Sequence, residues 1–148
     1  MGRGTNERGG MSRVVLLDNE AVHALADPAH PKHRRVISHA VVVTRRKARA
    51  VPVSIAVPSA VRVEAGWDRT DPATPAWAFI NRLRIADIPF DASHADAAAA
   101  LRTRTRVSVA DAHLGAIIRA SNQVTVLTSD PGDMHLVAEG KPIEVVTL

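Results

Sequence analysis

The chain has 148 residues, 46% of them apolar and 23% charged, with a net charge of +4 and no cysteine. That length suits one domain with a sizeable core, and the lack of cysteine excludes a disulfide framework or a thiolate metal site. No apolar run reaches the roughly 18–20 residues that a membrane span requires, and residues 1–10 carry no apolar signal segment, so a cytoplasmic location is expected.

Residues 1–13 are rich in Gly and Arg and are expected to form a disordered arm, leaving 14–148 as the folded domain. Val14–Leu17 is a continuous apolar run, as in a strand buried on both faces. Ala21, Val22, Leu25 and Ala26 follow at helical spacing until Asp27-Pro28. A second helix is expected over His30–Arg46, with Val36, Ile37, Ala40, Val41 and Thr44 on one side. Val51–Val57 reads as a strand limited at its start by Pro52, and a helix through Trp67 follows with Ser59 as its N-cap.

Beyond the loop Asp71–Pro75, a short helix is expected over Ala76–Leu83 and a strand over Arg84–Phe90. The alanine-rich stretch Ser93–Thr103 is strongly helical, and Ser108-x-x-Asp111 has the capping-box pattern that opens the next helix. Val124–Thr128 is a strand, Ser129–Asp133 a turn, Met134–Ala138 one helical turn and Ile143–Leu148 the closing strand. Strands alternating with helices imply an α/β layer fold with a mainly parallel central sheet of four to five strands.

Four acidic residues fall where strands stop or the helices beside them begin: Asp18, Glu64, Asp111 and Asp130. In an open parallel sheet the carboxyl ends of the strands form the crevice where ligands bind. Carboxylates gathered there repel one another and raise each other's pKa values unless a divalent cation neutralises them. Each also has a plain structural reading: Asp18 as an N-cap, Glu64 as an exposed helix residue, Asp111 as the capping-box acid, Asp130 as a turn starter. Their joint placement favours a site for Mg²⁺ or Mn²⁺, which take oxygen ligands.

The segments Leu-Leu-Asp18-Asn-Glu-Ala-Val, Val-Pro-Ser-Ala-Val-Arg-Val-Glu64, Val-Ala-Asp111-Ala-His-Leu-Gly-Ala and Val-Leu-Thr-Ser-Asp130-Pro-Gly-Asp133 resemble, in this order, those of PIN-domain ribonucleases. The likeness is greatest to the single-domain toxins of VapBC-type toxin–antitoxin pairs, and it runs from about Val14 to Leu148. It implies a PIN-like α/β/α sandwich and a Mg²⁺- or Mn²⁺-dependent endoribonuclease. Asp18, Glu64, Asp111 and Asp130 would then be the catalytic metal ligands, with Asn19, Thr128 and Asp133 beside them. It also implies an RNA substrate, a homodimer and a cognate antitoxin that plugs the acidic pocket with an arginine.

The family usually has Thr or Ser where Asn19 stands, and its last motif matches Thr128, Asp130 and Asp133, with Asp130 nearer the strand end and favoured as the ligand. The basic residues Arg45, Arg46, Lys47, Arg102 and Arg104 are candidates for holding the RNA backbone. With no Tyr, and only Phe79, Phe90, Trp67 and Trp77 as aromatic residues, the chain lacks stacking platforms for splayed bases. Ala21, Val22, Leu25, Val36, Ile37 and Val41 are weighed both as core and as a surface for the partner chain. His113, two residues past Asp111, is expected about 200° round its helix and on the surface. The alternatives are a PIN-like binding module that has lost catalysis and a receiver-type phosphoacceptor domain. The second would need a lysine at the end of the last strand and a helix after it, whereas Lys141-Pro142 precedes that strand.

Overall fold

The computed structural model describes residues 13–45, 53–68, 70, 81, 83 and 85–148. The expected arm before Arg13 and nearly all of the Ala76–Leu83 helix lie outside the described residues, as do Arg46, Lys47, Val51 and Pro52. The elements run β1 (Arg13–Leu17), α1 (Asn19–Ala26), α2 (His33–Arg45), β2 (Val53–Pro58), α3 (Ser59–Ala65), β3 (Ala86–Ile88), α4 (Ala92–Thr105), α5 (Val109–Ala120), β4 (Gln123–Thr128), α6 (Pro131–Ala138) and β5 (Glu144–Thr147).

The sheet has five strands in the order β3-β2-β1-β4-β5, all parallel. Flanked by helices, it makes the expected α/β sandwich. Successive strand residues point to opposite faces, and Val15, Leu16 and Leu17 are all buried, so both faces of the sheet are covered at β1. The edge strands β3 and β5 are more exposed. This order differs from the 2-1-3-4-5 order of flavodoxin-like folds, which receiver domains share, and so removes the phosphoacceptor alternative.

The core joins Leu16, Leu17, Val57, Val126 and Leu127 of the sheet to Val22 and Leu25 of α1, Leu114 and Ile118 of α5 and Met134 of α6. Burying each such side chain contributes roughly 1.5–3 kcal/mol. Ala21, Val22, Leu25 and Val36 have no exposed surface, so the face considered for a partner chain belongs to the protein's own core. Ile37 packs against that core. The side chain of Val41 lies outside the described residues. α5 is buried nearly all round. α4 and α6 approach it at Gly115, where a Cβ would come within 2.4 Å of Leu101 Cδ2 and 3.0 Å of the Val137 carbonyl. Among the described residues no helix is long and apolar enough to cross a membrane.

Several boundaries differ from the sequence expectation for local reasons. β1 begins at Arg13, inside the expected arm, because Arg13 already pairs with Val53 and Gln123. α2 starts at His33 rather than His30, since Asp27 accepts the Ala29 N–H at 2.9 Å and His30 Nδ1 the Lys32 N–H at 3.0 Å, closing a turn there. Ser59 is the first helical residue of α3 and not its cap: Pro58 occupies the cap position without a side-chain hydrogen bond. α3 stops at Ala65, short of Trp67, because Gly66 takes a left-handed φ of 75° that ends the helix. α6 runs from Pro131, longer than the single turn expected, because Asp130 caps it and proline is preorganised for the first turn.

Candidate functional site

The strands run outward in sequence from β1 through β2 to β3 on one side and from β4 to β5 on the other. The sequence order therefore switches between β1 and β4, and such a switch point opens a crevice at the carboxyl ends of the strands. The register sets Leu17 opposite Leu127, so the residues after them, Asp18 and Thr128, meet at that crevice. Asp18 donates its N–H to the Leu127 carbonyl at 3.3 Å. Its Oδ1 accepts the Ala21 N–H at 2.8 Å and caps α1. Burial raises the pKa of this carboxyl, the hydrogen bonds from Thr128 and the Ala21 N–H oppose the rise, and Glu20 and Asp130 add to it.

Asp111 sits in the first turn of α5, its N–H donated to Ser108 Oγ at 3.0 Å. Its carboxyl is pushed up to about 6, first by burial and then by the charges of Asp133, Asp18, Glu64 and Asp130. Asp18, Glu64, Asp130 and Asp133 thus all act on Asp111, and Asp130 also acts on Asp18 and Asp133. Asp130 caps α6: its Oδ1 accepts the Asp133 N–H at 3.1 Å, and its own N–H is donated to Thr128 Oγ1 at 2.9 Å. Asp133 is raised by partial burial and then by Asp130, and it is the strongest charged neighbour of Asp111. Glu64 stands exposed on α3.

The capping roles and the clustering hold together. Asp18 and Asp130 are N-caps, and Asp111 and Asp133 occupy first helical turns, so the positive ends of three helices offset part of the repulsion. The charges acting on Asp18, Asp111 and Asp133 are nonetheless all acidic among the described residues.

The donor set is one of hard oxygens, suited in kind to Mg²⁺ or Mn²⁺. Next to Asp18, Asn19 Oδ1 is buried and has no hydrogen-bond partner among the described residues. As the side chains stand, no group of three His, Asp or Glu among the described residues converges closely enough to hold a metal ion. Mg²⁺ keeps several waters and is usually held by one or two carboxylates, so an open arrangement of this kind still fits it.

Of the basic candidates, Arg45 ends α2. Arg102 Nε donates to the Val107 carbonyl at 2.9 Å, and Arg104 forks onto Glu139 with two bonds of 2.7 Å. Both are occupied within the fold. Arg104, Glu139, Arg119 and Lys141 rim a separate cleft of about 270 Å³ between α4, α5 and α6.

The sequence reading misplaced one residue, His113. It is fully buried, not on the surface, with its ring stacked on Phe90 at 4.4 Å and its Nε2 3.3 Å from His94 Nδ1. The angle from Asp111 was sound, but on a helix buried all round the opposite face is also interior. The nearly unbroken small and apolar run Ala110–Ile118 carried that signal.

No known family description matches the sequence, and no curated protein does. The fold is similar to a chain in the crystal structure of VapBC2 from Rickettsia felis bound to a DNA fragment from their promoter. The TM-score is 0.60 and the identity 13%, over 91% of this chain and 98% of that one. At that identity the likeness is one of fold, and the architecture is a PIN-like α/β sandwich.

Proposed function

We propose that this chain is a Mg²⁺- or Mn²⁺-dependent endoribonuclease of the VapC-like PIN type, the toxin of a toxin–antitoxin pair. The observation that carries the reading is Asp111, pushed up to about 6 by burial and by the carboxylates of Asp133, Asp18, Glu64 and Asp130, with no base offsetting them among the described residues. Asp18 and Asp111 would hold the ion, with Glu64 and one of Asp130 and Asp133. Asp130 is the nearer to the strand end, but Asp133 is the strongest charged neighbour of Asp111, so we rank Asp133 ahead of it. When bound, the ion supplies water activation and charge neutralisation at a phosphodiester.

The chain's own part is to position and to exclude. Thr128 and the Ala21 N–H hold the Asp18 carboxylate, and the buried Asn19 Oδ1 beside it would accept from a water rather than from RNA. With only two Trp, two Phe and no Tyr in the sequence, RNA is read through its shape and phosphates rather than by stacking. A cognate antitoxin would silence the site with an arginine, since a guanidinium forks onto paired carboxylates. A homodimer is part of the same proposal.

A second reading keeps the fold and drops catalysis, and it is favoured by the finding that no three ligands converge among the described residues. The purified chain should cleave RNA with Mg²⁺ or Mn²⁺ and stop with EDTA. It should also arrest growth when expressed alone and lose both effects when co-expressed with its antitoxin. Activity undiminished in EDTA removes the metal mechanism, and no cleavage at all leaves the binding module.

A further inference from the structure

α3 carries Glu64 and α5 carries Asp111, so the separation of these carboxylates depends on how the two helices are fixed to each other. α3 begins badly: Pro58 offers no side-chain cap, and the first N–H groups of a helix have no partner within it. Its other end is secured, by Gly66 and by Arg62, which donates to Asp87 and to the Trp67 carbonyl, both at 2.9 Å. At the open end the Ala60 N–H meets a group from another helix, Nδ1 of His113 on α5, at 3.4 Å.

An acceptor nitrogen carries no proton, so this bond needs the neutral ring with its hydrogen on Nε2, 3.3 Å from His94 Nδ1, which also lies 3.1 Å from the Pro89 carbonyl. The ring cannot drift, because Phe90 stacks against it at an interplanar angle of 26°. Glu64 lies four residues beyond Ala60, about 6 Å along α3, and Asp111 two residues before His113, about 3 Å along α5. The junction is within roughly one helical turn of both acids.

We propose that His113 is a positioning residue, which caps α3 from α5 by accepting the Ala60 N–H and so sets Glu64 relative to Asp111. This rests on the carboxyl edge being the active site. Two variants separate the bond from mere packing. His113→Asn places an amide oxygen near the position of Nδ1 and keeps the acceptor, whereas His113→Leu keeps apolar bulk and loses it. Three quantities are read in the wild type and both variants: exchange of the Ala60 amide by NMR, Mn²⁺ affinity, and kcat and KM on RNA.

The Ala60 amide should be protected in the wild type and in His113→Asn, and exchange at least about tenfold faster in His113→Leu. Mn²⁺ affinity and kcat should fall about 10–100-fold in His113→Leu with KM for RNA unchanged, and be largely restored in His113→Asn. A folded His113→Leu with wild-type Mn²⁺ affinity would overturn the proposal. If His113→Leu does not fold, His113→Asn decides: retained protection with full Mn²⁺ affinity supports it, and affinity lost despite protection overturns it. A wild type that binds no Mn²⁺ would sink the active-site reading. The capping bond would then stand or fall on Ala60 exchange, with equal rates in wild type and His113→Asn, both unprotected, refuting it.

Discussion

The two ends of the α5–α6 helix pair treat charge in opposite ways. Toward the N-terminal turns, Asp111 and Asp133 face each other with Asp18, Glu64 and Asp130 nearby, and the carboxyls of Asp111, Asp133 and Asp18 are raised. Toward the C-terminal ends, Arg104 forks onto Glu139 and holds that carboxyl below the ordinary value. There Lys141 Nζ also donates to the Arg119 carbonyl at 2.9 Å and to that of Ser121. Among the described residues, one end is compensated and the other holds shifted carboxyls with only acidic neighbours acting on them, a pattern that makes it a functional-site candidate.

The largest effect that sharpens this contrast is expected at Asp18. Asp18→Asn should remove RNA cleavage by more than the roughly 100-fold that losing an outer partner costs. The thermal midpoint should barely move, because Asn caps a helix as well as Asp does. A large fall in the midpoint would mean that the lost cleavage reports lost structure rather than a lost metal ligand.

Next comes the pair on α6. Asp130→Asn keeps a capping oxygen, while Asp133→Asn removes the strongest charged neighbour of Asp111. In single-turnover cleavage Asp133→Asn should therefore be the slower variant, and the opposite ranking would return the ligand role to Asp130.

A third expectation concerns pH in the metal-free chain. The folded pKa of Asp111, about 6, lies above its unfolded value, so the folded state binds the extra proton between them. Its contribution to stability is present in full below about pH 4 and is lost as pH rises through 6. Asp111→Asn should accordingly stabilise the metal-free protein at pH 8, by on the order of 1–3 kcal/mol, with the gain vanishing near pH 4. Urea titrations at both pH values check this; a gain that does not depend on pH would remove like-charge repulsion as the cause. At the compensated end, Glu139→Gln breaks only an exposed ion pair and should move the melting midpoint by about a degree, with cleavage unchanged.

What the sequence made legible follows from its apolar runs. Val14–Leu17 is an unbroken apolar run and Val53–Val57 and Val124–Thr128 are nearly so, as in strands buried on both faces, and their alternation with helical stretches implied the parallel sheet. Once the sheet was parallel, acids at strand ends had to share an edge. The strand order was not legible, because an apolar run does not say which neighbour it pairs with. Nor was the start of α2 at His33, which depends on side chains of Asp27 and His30 competing for backbone N–H groups. Asp18 and Asp130 are caps at the same edge where the site is proposed, which is why their spacing could be read either way. His113 escaped because periodicity names a face without saying what covers it.

The central claim, that the carboxyl edge is one site for a divalent cation, is tested most directly by calorimetric titration of Mn²⁺ into the metal-free chain at pH 7.5. Asp18→Asn and Glu139→Gln are measured beside it. The account predicts saturable binding to the wild type, binding weakened at least about tenfold in Asp18→Asn, and binding unchanged in Glu139→Gln. No binding to the wild type, or equal binding in all three, would contradict it.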